Sequence, residues 1–297
     1  MAHLKEVVDR INLIAYTQQI TKAMKMVSAS KLHKIQKILL PFKEYAAGCT
    51  NILYTALEGM DATNLSYPLL QKKNKDLPKS FLFIVVASNC GLCGAFNKHV
   101  LKATYQQIQV LQQKQAAKVE VLTIGAKAYQ FFKKSNLTII NDYVDLLTKE
   151  DFNAKELIAY CMEAFQKDYY NHILLAYTSF KNVAKQEVII APYLPFNFDS
   201  MQSTTRQIQQ NRYIYEPSQP LLIEKLIGEL LKNQIMGMLI ESTASEHAAR
   251  VATMSKATDN AEKLLKELRI SYNRTRQSLI TSAIAEITGG AEALTET

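Results

Sequence analysis

"SFLFIVVASNCGLCGAFNKHV" occupies residues 80–100. Phe81–Ala87 is apolar without interruption and rich in β-branched and aromatic residues. At seven residues it is far short of the roughly 20 needed to span a membrane as a helix. It is therefore predicted to be a strand buried on both faces, as in a parallel sheet. A glycine-containing turn follows, and then a helical stretch. Cys90-Gly91-Leu92-Cys93 lies in that turn, where a thioredoxin-like redox pair would sit. The alternatives are half of a zinc site, or a tight turn served by Gly91 and Gly94 in which the thiols are incidental.

Similar alternation extends outward from this stretch. "KVEVLTIG" (118–125), "LTIIND" (137–142), "HILLAYTSF" (172–180) and "QEVIIAPYL" (186–194) are β-rich. Between them, "AFNKHVLKATYQQIQVLQQK" (95–114), "AKAYQFFKKS" (126–135) and "NAKELIAYCMEAFQKDYY" (153–170) are helical in composition. Strand–helix alternation predicts an α/β domain with a largely parallel sheet over residues 59–216. A polar stretch, "DATNLSYPLLQKKNKDLPK" (61–79), leads into it.

The two ends read differently. No Gly or Pro precedes Pro41, and no Pro follows Pro220. Unpunctuated sequence predicts long helices over 1–58 and 217–297. Leu4, Val7, Val8, Ile11 and Ile14 have helical spacing. Pro41 is expected to kink or end the first helix. Ser218 can cap the last, with Pro220 in its first turn. At 1.5 Å per residue the two would be about 80 and 110 Å long. Helices of that length must pack on each other or on partners, which predicts a long antiparallel coiled coil of the two ends.

Of 297 residues, 48% are hydrophobic and 21% charged, an ordinary globular composition. The net charge of +8 points to an anionic partner. Four cysteines are too few for a disulfide scaffold. The five histidines have no metal spacing, and no phosphate-binding loop, dinucleotide fingerprint or nucleophile elbow occurs. From Arg10 to Lys43 seven basic residues occur with no acid between them, and Arg269, Arg274 and Arg276 follow the same rule near the C-terminus. A positive rod of this kind meets acidic groups. Nucleic acid is one possibility, but the aromatic interleaving of single-strand binders is missing.

Three blocks carry a resemblance. "TQQITKAMKMVSASKLHKIQ" (17–36) and "ATDNAEKLLKELRISYNRTRQSLITSAIAEITGGAEAL" (257–294) resemble the N- and C-terminal helices of the gamma subunit of F-type ATP synthases. "SNCGLCGAFN" (88–97) resembles that family's turn S-D-R-G-L-C-G-x-x-N. Cys93 takes the family's cysteine position. Cys90 stands where Arg is usual and Asn89 where Asp is usual, so the Cys-x-x-Cys reads as one substitution, and any ion pair at that turn is in doubt. The plastid members' regulatory cysteine pair has no counterpart in "FDSMQSTTRQIQQNRYIYEP" (198–217).

The resemblance implies a central-stalk rotor subunit with no catalytic site, cofactor or metal of its own. It implies three alpha and three beta subunits, an epsilon subunit and a membrane c-ring as partners. It also implies peripheral placement at the cytoplasmic face of a bacterial inner membrane, held only through the complex, and no nucleic acid. Met24, Lys25, Arg250, Gln277, Thr281 and Glu286 match positions that touch the alpha–beta ring, and Gly91, Cys93 and Gly94 match the structural turn. In the implied register Met24 lies near Arg250, and the start of the first helix faces about residue 272. Beyond that point the last helix would run alone and expose Leu279, Ile280, Ile284, Ile287 and Leu294. A thioredoxin-like oxidoreductase and a basic coiled-coil nucleic-acid binder are the competing readings.

Overall fold

A computed structural model describes residues 2–57, 80–115, 117–135, 137–143, 146, 154–183, 185–196, 215, 216 and 218–295. The connector at 61–79 and most of 198–217 lie outside the described residues. The elements are α1 (Ala2–Leu57), β1 (Ser80–Val86), α2 (Phe96–Gln115), β2 (Lys118–Ile124), α3 (Ala126–Phe132), β3 (Thr138–Asp142), α4 (Lys155–Gln166), β4 (His172–Phe180), β5 (Gln186–Leu194) and α5 (Gln219–Thr295). They form two compact units, one of residues 1–28 and 251–297, the other of residues 29–250.

In the larger unit the sheet order is β3-β2-β1-β4-β5. The first four strands are mutually parallel, and β5 runs antiparallel to β4. The apolar run that opens the sequence reading is the central strand, with both faces covered. Leu82, Ile84 and Val86 share one core with Leu122, Leu175, α4, and the segments of α1 and α5 that belong to this unit. Phe81, Phe83 and Val85 point the other way, into a second core with α2 and α3. Alternate residues thus meet helices on both faces, and this removes the polar alternation of a half-exposed strand.

Pro41 does not interrupt α1. Proline costs a helix the hydrogen bond to the carbonyl four residues back. Here Pro41 faces solvent, and the buried spacing runs through it unbroken: Leu32, Leu39, Cys49, Leu53 and Ala56 are buried, with Ile35 and Phe42 packed against them. With half-buried Ala46 between Phe42 and Cys49, these residues recur at three- and four-residue steps, as a coiled-coil seam requires. Packing on α5 therefore outweighs the lost bond. Gly237 of α5 lets the helices approach closely, since a Cβ there would lie 3.2 Å from the Phe42 ring. Lys43 pairs with Glu241 at 2.6 Å, and the Gln219 side-chain amide donates to the Ala56 carbonyl at 2.6 Å. Residue numbers rise along α1 as their partners fall along α5, so the pairing is antiparallel.

The smaller unit is antiparallel as well. Thr21 and Thr258 hydroxyls lie 3.0 Å apart, and Lys25 Nζ donates to Ser255 Oγ at 3.0 Å. On α5 the covered positions include the series Met254, Thr258, Ala261, Leu265, Leu268, Tyr272 and Thr275. Their steps of four and three follow a heptad repeat. This register corrects the expected one by about five residues. Met24 lies opposite about residue 255 instead of Arg250, and the start of α1 opposite about residue 277 instead of 272. Pairs of small hydroxyls and a lysine fix it, and apolar spacing alone does not distinguish it from a slipped seam.

Candidate functional site

Among the described residues no group of side chains is arranged to hold a metal. No described helix is long and apolar enough to cross a membrane. The residues singled out from the sequence fall into three places.

The first is the turn after β1. Ser88 N–H donates to Asn97 Oδ1 at 2.9 Å, and Ser88 Oγ donates to the Cys90 carbonyl at 2.5 Å. Asn97 Nδ2 donates to Cys93 Sγ at 3.2 Å. Asn97, on the first turn of α2, therefore ties down both ends of the loop. Asn89 Oδ1 accepts the Ala126 N–H at 2.9 Å. A neutral carboxamide serves there, and no ion pair is needed. Two residues take left-handed backbone angles, Gly94 (φ 62°) and Leu92 (φ 62°). Gly91 does not, and a Cβ on it would meet open space. The expectation that Gly91 serves the turn by its conformational freedom is corrected: the non-glycine Leu92 bears that strain. Cys93 is 1% exposed and packs with Phe96 and Ala249, whereas Cys90 is exposed and both thiols are free. A redox pair needs an accessible partner thiol, and Cys93 does not supply one.

The second place centres on Arg250. Its side chain is 9% exposed and that of Glu246 12% exposed, with Nη2 donating to Glu246 Oε1 at 2.7 Å. Nη2 also reaches the Gly91 carbonyl at 3.4 Å, and Nη1 lies 3.3 Å from His247 Nδ1. Burial holds the Glu246 carboxyl above its usual range, with Arg250 pulling the other way. Burial, then the Arg250 and Lys31 charges, push the His247 imidazole down to about 4, so it is neutral at physiological pH. Arg250 is thus committed within its own chain and bolts the turn to α5. The sequence reading takes His247 only as one of five scattered histidines without metal spacing and does not single out Glu246. The i,i+4 Glu–Arg spacing on a helix was the available signal.

The third place is the exposed surface of the smaller unit. Met24 is half-buried beside the seam, and Lys25 is held by Ser255. Every residue from Arg276 to Gly289 is exposed. Thr281 Oγ1 donates to the Gln277 carbonyl at 2.9 Å, and Ser282 Oγ donates to Glu286 at 3.4 Å. At 100° per residue Gln277 and Thr281 share a face, whereas Glu286, nine residues beyond Gln277, lies on the opposite side. Ile280, Ile284 and Ile287 form an apolar stripe, with Ile287 72% exposed. The side chain of Leu294 lies outside the described residues.

The ATP synthase family model matches residues 3–294. An ATP synthase gamma chain of Amoebophilus asiaticus is 42% identical over 297 residues, all of both chains. The gamma chains of Chlorobium phaeobacteroides and Cytophaga hutchinsonii are each 38% identical, over 99% of both chains. The chain belongs to the ATP synthase gamma chain family. It is a subunit of an ATP synthase complex. Its fold is also that of a chain in the Euglena gracilis mitochondrial ATP synthase OSCP/F1/c-ring structure, with a TM-score of 0.64 at 19% identity, covering 99% of this chain and 95% of the other. A chain in the rotor structure of the same enzyme gives 0.60 at 19% identity, covering 94% and 99%.

Proposed function

We propose that the chain is the rotor shaft that carries torque between a membrane c-ring and a ring of three alpha and three beta subunits, with an epsilon subunit on its α/β domain. Rotation of the shaft presents different faces to the three catalytic sites in turn, and this couples ion flow to ATP synthesis or hydrolysis. The complex places it at the cytoplasmic face of a bacterial inner membrane as a peripheral subunit.

The observation that carries this reading is the end of α5. Cover by α1 stops at Thr275, and the next four turns expose leucine and isoleucine to solvent. A single helix of that length is marginal in water. Glycines at 289 and 290 weaken it further. Such a segment is stable inside an apolar sleeve, and a ring of other subunits provides one. The exposed lysines of α1 suit acidic loops of that ring, because charge attraction needs less exact geometry than a hydrogen bond. Met24, Lys25, Gln277, Thr281 and Glu286 are the proposed ring contacts. Arg250 acts one step back, by fixing the turn and α5 that present them.

The test is reconstitution. The chain is mixed with purified alpha and beta subunits, and the product is followed by gel filtration and ATPase assay. Co-elution as one complex, with turnover that depends on the chain, supports the reading. Failure to co-elute refutes it.

A further inference from the structure

Eight lysines and one acid, Glu120, occur in residues 77–141, so this stretch carries +7 of the chain's net +8 and the rest is nearly neutral. Lys118 pairs with that one acid at 2.8 Å. The structure gathers five of the other lysines on one side of the larger unit. α2 and α3 cover the same sheet face, over Phe81, Phe83 and Val85. Lys98, Lys102, Lys133 and Lys134 are exposed on this layer, and Lys127 is half-exposed. Among the described residues none of the five is in an ion pair. Lys127 Nζ donates to the neutral Gln130 Oε1 at 3.1 Å, which leaves its charge unmatched.

This arrangement opposes folding and gains nothing within the chain. Lys98 and Lys102 are one turn apart on α2, a like-charge pair that destabilises a helix. Lys98 also lies in the first turn, at the positive end of the helix dipole, where α2 has no acid. Local costs of this kind mark surfaces kept for a partner. Aromatic rings lie among the charges. Tyr105 follows Lys98 and Lys102 at steps of four and three residues, on the same face of α2. Its ring meets Phe131 of α3, with centroids 6.1 Å apart and planes at 84°. Phe131 is 37% exposed, and Lys133 Nζ stands 5.5 Å from the centre of the Tyr129 ring.

We infer that the α2–α3 layer docks on an anionic lipid bilayer, with the lysines among the headgroups and Phe131 at the edge of the acyl region. Lysines set around exposed apolar side chains are the composition that holds a protein on such a surface. A lysine is a point charge on a flexible stem, so mobile headgroups suffice and no fixed phosphate geometry is needed. Nucleic acid fits this face less well. The stretch has no arginine, and its two contacting rings lie edge to face, which leaves no open platform for stacked bases. The inference goes beyond the rotor reading, which brings the chain to a membrane only through its partners. It does not rest on that reading, and failure to co-elute with alpha and beta subunits would leave it standing.

The full-length chain is sedimented with vesicles of equimolar phosphatidylglycerol and phosphatidylcholine, and with phosphatidylcholine alone. Binding to the anionic vesicles should exceed binding to the neutral ones by roughly tenfold or more at low salt, and fall as salt shortens the Debye length. The variant K98Q/K102Q/K133Q/K134Q should weaken binding by about fivefold per lysine. A charge-matched variant of exposed lysines on α5, K225Q/K256Q/K263Q/K266Q, should bind like the parent. The chain has no tryptophan, so Phe131→Trp puts a single indole in the patch. Its emission should shift to the blue on anionic vesicles and be quenched by brominated acyl chains. The comparison of vesicle types needs no variant, so a misfolded mutant leaves the test intact. Equal binding to both vesicle types, equal loss in the two lysine variants, or unchanged indole emission in the bound chain overturns the proposal. If vesicles stay unbound while a single-stranded RNA binds the parent and not K98Q/K102Q/K133Q/K134Q, the face is a nucleic-acid surface and the proposal fails.

Discussion

Arg250→Met is the most informative single change. It leaves the apolar length of the side chain and removes the guanidinium from Glu246, His247 and the Gly91 carbonyl. Both partners of the ion pair are nearly buried. Breaking such a pair leaves an uncompensated charge and costs about 3 kcal/mol. For a folding unit of this size that lowers the melting midpoint by roughly 6–12 °C. Glu246→Met should cost a similar amount. The double variant should cost clearly less than the two together, because it leaves no stranded charge.

The pH dependence follows from the two neighbours of Arg250. A carboxyl whose folded pKa is raised contributes its full stability below the unfolded value of 4.5 and loses it as pH rises through the folded value. Without Arg250 the Glu246 pKa climbs further, so the variant is penalised most at high pH. His247 falls from 6.5 to about 4, and the parent therefore loses stability, at most roughly 3 kcal/mol, as pH drops through that window. Removing Arg250 lets the His247 pKa move back up and shrinks that loss. Both effects narrow the gap between parent and variant at pH 5 relative to pH 8. Urea unfolding of the full chain at the two pH values, monitored by circular dichroism, measures the gap. A gap that widens on acidification, or a double variant that costs the sum of the singles, refutes the reasoning.

Deleting residues 276–297 should leave the seam from Met254 to Thr275 intact and weaken retention in a reconstituted complex, read by helicity and gel filtration. Strong amide protection of residues 276–289 in the free monomeric chain would contradict this. Cys90→Ser should leave ATPase activity of the assembled complex unchanged with or without dithiothreitol, because Cys93 is shielded. A several-fold redox response lost in that variant would show otherwise. The purified chain should not bind ATP in a calorimetric titration, since its sequence has no phosphate-cradling loop. Micromolar binding of defined stoichiometry would overturn that expectation.

The five strands were legible because each is a short β-rich run bounded by polar residues, and β1 is apolar on both faces. The long helices were legible from the scarcity of glycine and proline. The antiparallel direction of β5 was not, because "QEVIIAPYL" reads the same in either direction and pairing with β4 decides it. Gln277, Thr281 and Glu286 were placed on exposed helix as expected, because surface residues of a regular helix need no tertiary information. Arg250 is read by resemblance as a ring contact, and its burial against the turn is not legible, because helical sequence alone does not say which side of α5 meets the sheet domain.

Composition and periodicity by themselves determined two long helices, an α/β middle and a chain with no metal-ligand spacing or nucleotide-binding motif. These are local properties, set by apolar spacing of two or about 3.6 residues and by the placement of glycine and proline. Only the tertiary structure decided the register of the seam, the survival of α1 through Pro41, the strain at Leu92 in place of Gly91, and the burial of Arg250. Each depends on contacts between residues far apart in the chain. A heptad seam tolerates slippage until a pair such as Thr21 and Thr258 meets. A proline costs a helix one hydrogen bond, and only the partner helix determines whether packing outweighs it.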